Sequence, residues 1–316
     1  YTLSLHDALP IYHYLSLSEA QADQTKYAEV RFLRAYNYYL MLDFFGDPPF
    51  VIEISQETPK QAHAYNTKYE EGANYTRAEL LAMGREFLFN WVKDELIAAE
   101  ADMLEASPEV DTDANYGRAD KAAAWLLLSR LYLNAGTYLN NDGQNNPHWS
   151  EALTYAEKVI NSNYSLFDES KMSSTAKNLG YRPYDLLFMG DNGSNGSSCE
   201  AILPLLQDGK VTKAWGGSLF FVAALWEPTM ENVIGLGAAT TENYWSGMRV
   251  RQQFLENFTN EPSKYVGKTS NEIRQSSTDD RAIFWGKGHT LELDPNDDFA
   301  QGIASPKWNN NYSTGG

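Results

Sequence analysis

Two tryptophans stand where a ring could meet a ligand: Trp215 in Lys213-Ala214-Trp215-Gly216-Gly217, and Trp245 in Asn243-Tyr244-Trp245-Ser246-Gly247. Glycines beside a ring let the backbone approach a bound molecule, and a ring in a Gly/Ser-rich loop is a poorer core candidate than one in a periodic helix. Such rings can stack on the apolar face of a pyranose. Each contact would gain about 1 kcal/mol beyond area burial, by analogy with aromatic pairs, so several must act together. Tyr244, Asn243, Trp226 and Arg249 neighbour these rings in sequence. Arg249 can donate to vicinal hydroxyls or form an ordinary surface ion pair. Each tryptophan can also plug its loop against the core, and the sequence leaves both uses open.

A second candidate is Asp191-Asn192-Gly193-Ser194-Asn195-Gly196, an oxygen-rich, turn-prone string with the character of a cation loop. It lacks the bidentate glutamate of an EF-hand, so a plain turn is the alternative reading, and calcium through Asp191 is the one cofactor left open. Catalytic constellations are weaker. His63, His148 and His289 lie in unrelated polar loops without zinc spacing, and there is no Gly-Lys-Ser/Thr phosphate loop, strand-borne GxGxxG or Gly-x-Ser-x-Gly elbow. Asp279-Asp280 could suggest a glycosidase, but adjacent carboxylates point in different directions, and an ion pair with Arg281 explains them more simply. Cys199, the single cysteine, excludes an intrachain disulfide framework and reads as a buried or idle thiol.

Composition narrows the partners. A formal charge of -17, from 42 acidic against 25 basic residues, opposes nucleic-acid binding, which needs a basic surface to displace counterions. The 20 Tyr, 14 Phe and 8 Trp, beside Asn-rich polar stretches, suit a neutral carbohydrate, although the same rings also fill cores. No apolar run is long enough to span a bilayer. Residues 1–11 match, codon for codon, the translation of a widely used sequencing-library adapter. They read as a non-native segment to be set aside, so His6 and Asp7 are not a catalytic pair.

The elements that would position these groups are mostly helical. Phe32, Ala35, Tyr36 and Tyr39 recur at three and four residues, with Gly46 as C-terminal cap and Pro48-Pro49 forcing a turn. After an irregular stretch over 51–73, a helix is expected from about Tyr75 to Leu104, with Leu80, Phe87, Trp91, Leu96 and Ile97 on its partly buried face. Asp111 to Asn115 reads as a loop. Gly117 to Gly136 reads as an Ala/Leu-rich helix stopped by glycine, and Trp149 to Ile160 as its partner, with Ala152, Ala156, Val159 and Ile160 in one stripe. Beyond Ser162 periodicity fades into loops, short strands and a few helices, with Arg249 to Phe258 the best helix candidate.

The stretch Ala28-Glu29-Val30-Arg31-Phe32-Leu33-Arg34-Ala35-Tyr36-Asn37-Tyr38-Tyr39, running on to Leu42-Asp43-Phe44-Phe45-Gly46-Asp47-Pro48-Pro49-Phe50, resembles the signature of SusD/RagB-type outer-membrane glycan-binding lipoproteins. Gly117 to Tyr138, Phe188 to Asn192, Glu200 to Gly217, Asp279-Asp280-Arg281 and Lys307-Trp308-Asn309 are similar to the starch-binding member of that family. The resemblance implies a mainly α, SusD-like fold. Residues 12–164 would form a scaffold with tetratricopeptide-type repeats, and 165–316 a loop-rich glycan-binding subdomain with short strands. It places two ring positions of the starch site on Trp215 and Trp245, and the calcium region near Asp191. It implies non-catalytic capture of polysaccharide, an α-glucan such as starch, for a SusC-like TonB-dependent transporter. It also implies a surface lipoprotein of the outer membrane, with the lipidated leader before residue 12 and further C-terminal helices beyond Gly316. Two other readings stay open: an acidic α-helical glycoside hydrolase, and a repeat scaffold that binds only protein.

Overall fold

The computed structural model describes residues 11, 14–15, 23–51, 58–140, 143, 145–178, 181–206, 257–258, 279 and 281. Two compact units are present, residues 1–206 and 207–316. In the second unit Arg281 grips Asp279 with two nitrogens, Nε to Oδ1 at 2.9 Å and Nη2 to Oδ2 at 2.7 Å, and lies 5.6 Å over the Phe258 ring. Those hydrogen bonds hold the Asp279 carboxyl down at about 2, as an ion pair does and a glycosidase acid does not.

The first unit begins with α1, Gln24–Phe45, whose Asp23 cap accepts from the Lys26 N–H at 3.1 Å. Ala28, Phe32, Ala35, Tyr39 and Leu42 are its buried face, and the expected stripe holds except that Tyr36 is only half-buried. Gly46 ends the helix at φ 72°, its N–H returning to Leu42 O at 3.0 Å, a conformation that favours glycine. The prolines then turn the chain into β1, Pro49–Phe50, which pairs antiparallel with β2, Lys60–Gln61. A single 3-10 turn, Ala62–Tyr65, follows in the stretch expected to be irregular. Phe50 is buried among Tyr38, Tyr65, Phe87 and Trp91, with ring centroids 4.8 to 5.2 Å away. Aromatic contacts of this kind each add roughly 0.5–1.5 kcal/mol beyond burial.

Helix α2, Arg77–Glu100, starts at a reciprocal capping box between Thr76 and Glu79 and ends earlier than expected. Its buried face is Gly84, Leu88, Phe89, Val92, Leu96 and Ala99. Of the residues expected there only Leu96 is fully enclosed. Leu80, Phe87 and Trp91 are half-buried, and Ile97 is exposed, because the stripe that packs on α1 is rotated about one residue from the most apolar-looking one.

The expected 117–136 helix is two elements. Residues 117–119 precede α3, Lys121–Leu133, and Gly136 does not stop the helix but sits inside a short α4, Ala135–Asn140. The break falls at Asn134, whose amide bonds Arg130 O at 2.8 Å, while the Asn146 amide covers the carbonyls of Tyr132 and Leu133 at 2.7 and 2.8 Å. Helix α5, Trp149–Ile160, has the predicted bounds and packs on α3. The small buried Ala122, Ala123, Ala124 and Ala152 let helices approach, and Ser129 Oγ donates across to Ala152 O at 2.9 Å. Of the predicted stripe only Ala152 is buried, while Ile160 is 74% exposed. From 165 to 206 the described residues form no strand. They hold short helical turns, Glu169–Lys171, α6 (Ser174–Asn178), α7 (Pro183–Leu186) and Ser197–Glu200, around a small core of Phe167, Met172 and Leu186 against which the half-buried Cys199 packs. No helix among the described residues is long and apolar enough to cross a membrane.

Candidate functional site

Trp215, Trp226, Asn243, Tyr244, Trp245 and Arg249 lie outside the described residues. The Asp191 loop does not, and it is closed on itself. Asp191 O accepts from the N–H groups of Ser194 and Asn195 at 2.8 and 2.9 Å, its carboxylate accepts the Asn195 amide at 3.1 Å, and Ser197 Oγ donates inward to Asn195 Oδ1 at 2.7 Å. Among the described residues no cluster of three acidic, His or Cys side chains could hold a metal. The described histidines serve the scaffold, not loops. His63 Nδ1 lies 2.6 Å from Asp47 Oδ2, and His148 stacks on Phe89 with Nδ1 2.9 Å from Glu151.

The described residues bring together a different group, at the Gly117-Arg118-Ala119-Asp120 entry to α3. Gly117 turns the chain at φ 82°, a conformation that side chains with Cβ resist. Arg118 is then fixed by Glu29 of α1 at 2.8 Å and by Asn115 Oδ1 at 2.9 Å. Asp120, only 4% exposed, caps α3 by accepting from the Ala123 N–H at 3.1 Å. Its other oxygen accepts from the Ser107 N–H at 3.1 Å and the Tyr164 hydroxyl at 2.9 Å. Burial pushes its carboxyl above the usual range, and these hydrogen bonds reverse the shift only in part. The phenol of Tyr164 is likewise raised, by burial and by the neighbouring carboxylate.

These residues line one side of a cavity of about 340 Å³. Glu105, Glu109, Tyr116 and the 201–204 segment complete it. With the helix expected to begin at Gly117, Asp120 was missed as its cap, and Tyr164 lies 44 residues away with nothing in the sequence to couple the two. Replacing Asp120 with Ala is expected to cost about 3 kcal/mol, the helix cap plus two stranded donors, and Asp120→Asn roughly half of that, since an amide oxygen still caps. Urea unfolding of both variants checks the order; equal losses would mean the second carboxylate oxygen contributes nothing.

No family model matches the chain. Against individual proteins, it is 31% identical over 319 residues to the starch-binding protein SusD of Bacteroides thetaiotaomicron, an alignment that takes in 91% of this chain and 49% of that protein. The chain is SusD-like. The SusD-like chain spans about half the length of this relative. Solved structures are more distant. A SusD-like protein from Bacteroides fragilis is 17% identical at a TM-score of 0.48, covering 78% of this chain and 39% of its own. A SusD superfamily protein from Parabacteroides distasonis is 21% identical at 0.36, covering 58% and 40%. Surface glycan-binding protein A from Bacteroides uniformis is 22% identical at 0.32, covering 49% and 29%. The sequence relation, not these superpositions, carries the family statement. The mainly α character expected of a SusD-like chain is what α1 to α7 display.

Proposed function

We propose that this chain captures a neutral glycan at the cell surface without cleaving it, starch or a related α-glucan being the first candidate. The observation that supports the reading is the 31% identity to a starch-binding protein across nearly the whole chain. In this reading residues 12–164 are a repeat-type helical scaffold and 165–316 carry the glycan contacts. Trp215 and Trp245 are the stacking rings, with Asn243, Tyr244 and Arg249 supplying hydrogen bonds beside them. Rings held on a rigid scaffold limit the entropy lost on binding, and a surface short of positive charge suits an uncharged polymer. The protein would be a lipid-anchored outer-membrane component that hands its ligand to a SusC-like TonB-dependent transporter.

Affinity electrophoresis in starch-containing gels tests this with a Trp215→Ala, Trp245→Ala double variant. Two lost stacking contacts of about 1 kcal/mol each should weaken retention roughly 30-fold. Unchanged retention would move the reading to a protein-binding scaffold, and release of maltooligosaccharides would move it to a hydrolase.

A further inference from the structure

We propose that the cavity beside the entry to α3 binds one neutral sugar unit, held by Tyr116, Arg118 and Glu109, independently of the two tryptophan positions. Only the choice of sugar as ligand class rests on the glycan-capture reading. The described residues that line the cavity all belong to the first unit.

Its size comes first. At about 340 Å³ it stands at the small end of the roughly 300–1,000 Å³ typical of small-molecule sites, with room for one sugar ring. Its walls are fixed before any ligand arrives. Arg118 is clamped by Glu29 and Asn115, and Tyr164 is tied to Asp120. Tyr116 is held against Gly193 so closely that a Cβ there would stand 2.7 Å from its hydroxyl. A preorganised wall spares the ordering cost that weakens small-ligand binding.

Charge then selects the ligand. Glu105, Glu109 and Asp120 outnumber Arg118, whose charge is already matched by Glu29, so an anion would be repelled. The described residues offer no three-ligand cluster for a metal ion. An apolar molecule would strip water from carboxylates and a guanidinium without replacing it. A sugar unit fits all three kinds of group present. Its C–H face packs on a tyrosine ring, its hydroxyls donate to Glu109, and Arg118 donates to its oxygens. Tyr116 belongs to that lining, and its hydroxyl end packs beside Gly193.

The test is NMR of the full chain carrying ring-labelled tyrosine, with the two resonances assigned by Tyr116→Phe and Tyr164→Phe. Glucose, galactose, mannose, xylose and N-acetylglucosamine are titrated in turn, and tetramethylammonium chloride serves as a cation control. The Tyr116 resonance should shift saturably with at least one sugar, in the roughly millimolar range expected of a single unit. The shift should persist in the Trp215→Ala, Trp245→Ala variant and need about tenfold more sugar in Glu109→Gln, an exchange that keeps size and loses the charged acceptor. Three results would each overturn the site: no saturable shift with any sugar, loss of the shift with the two tryptophans, or a stronger response to tetramethylammonium. Starch-gel retention scores the tryptophan positions separately, so the two readings fail independently.

Discussion

Gly84→Ala should destabilise the protein by about 2–3 kcal/mol, the opposite of what this exchange does in an ordinary helix interior, where it gains up to roughly 1 kcal/mol. Gly84 lies on the buried face of α2, opposite Asp47 of the Gly-Asp-Pro-Pro turn. A Cβ placed there would collide with Asp47 Oδ1 and stand 2.6 Å from both its Cβ and Cγ. Asp47 cannot swing away cheaply: Oδ1 accepts the His63 N–H at 2.7 Å, and Oδ2 lies 2.6 Å from His63 Nδ1. Either α2 moves off the turn or both contacts to His63 are lost, and each route costs a few kcal/mol. Urea unfolding beside Gly190→Ala, where nothing lies within 4 Å, separates the contact from a general glycine effect. Equal or greater stability for Gly84→Ala would show that the turn does not depend on close approach.

The same turn shows how far the sequence could be read. The Gly46 stop and the forced turn at Pro48-Pro49 were legible because both are local, one a left-handed cap and the other a missing N–H with a fixed φ. What the turn is for was not. Asp47 meets His63 and Gly84, 16 and 37 positions further on, through contacts that leave no periodic mark. The buried stripe of α2 was misplaced for a related reason. Phe87 and Trp91 are its most apolar-looking residues, yet they cover the side where Phe50 inserts, while Val92 and Leu96 enter the main core. Composition could not distinguish a ring that lines an aromatic nest from a side chain that is fully enclosed.

Gly136 failed as a stop for a complementary reason. A helix ends where its carbonyls find other partners, and the Asn134 and Asn146 amides provide them before the glycine is reached. Of the proposed glycan contacts, the sequence offered rings flanked by Gly and Ser. It offered no sign of the cavity at α3, whose members come from four separate stretches between Leu104 and Pro204. Local chemistry is visible in sequence, and convergence is not. The helical unit therefore depends on contacts that bring distant stretches together.

That dependence sets the second large effect, at the joint between α1 and α2. Glu95 accepts from Arg31 twice, Nε at 3.2 Å and Nη2 at 3.0 Å, and from Arg34 Nη2 at 2.7 Å, while Arg34 also lies 5.3 Å over Trp91. The Glu95 side chain is 17% exposed and the two arginines 22% and 19%, so Glu95→Ala leaves two poorly hydrated cations facing each other. A loss of about 3 kcal/mol is expected, at the low end for breaking a buried pair because some water still reaches it. Burial alone would raise the Glu95 carboxyl, but the hydrogen bonds of Arg31 and Arg34 outweigh it and hold it below its ordinary 4.5. A carboxyl lowered in the folded state contributes stability that is present above the unfolded pKa and is lost as pH falls through the folded one. The gap between wild type and Glu95→Ala should therefore be widest near neutrality and narrow as the pH falls below the ordinary 4.5 and through the lowered folded value. Changes at other groups common to both proteins cancel in that difference, which urea unfolding at each pH reads directly. A gap that stays constant down to acid pH would mean Glu95 holds the helices by packing its methylenes, and that the two arginines do not need its charge.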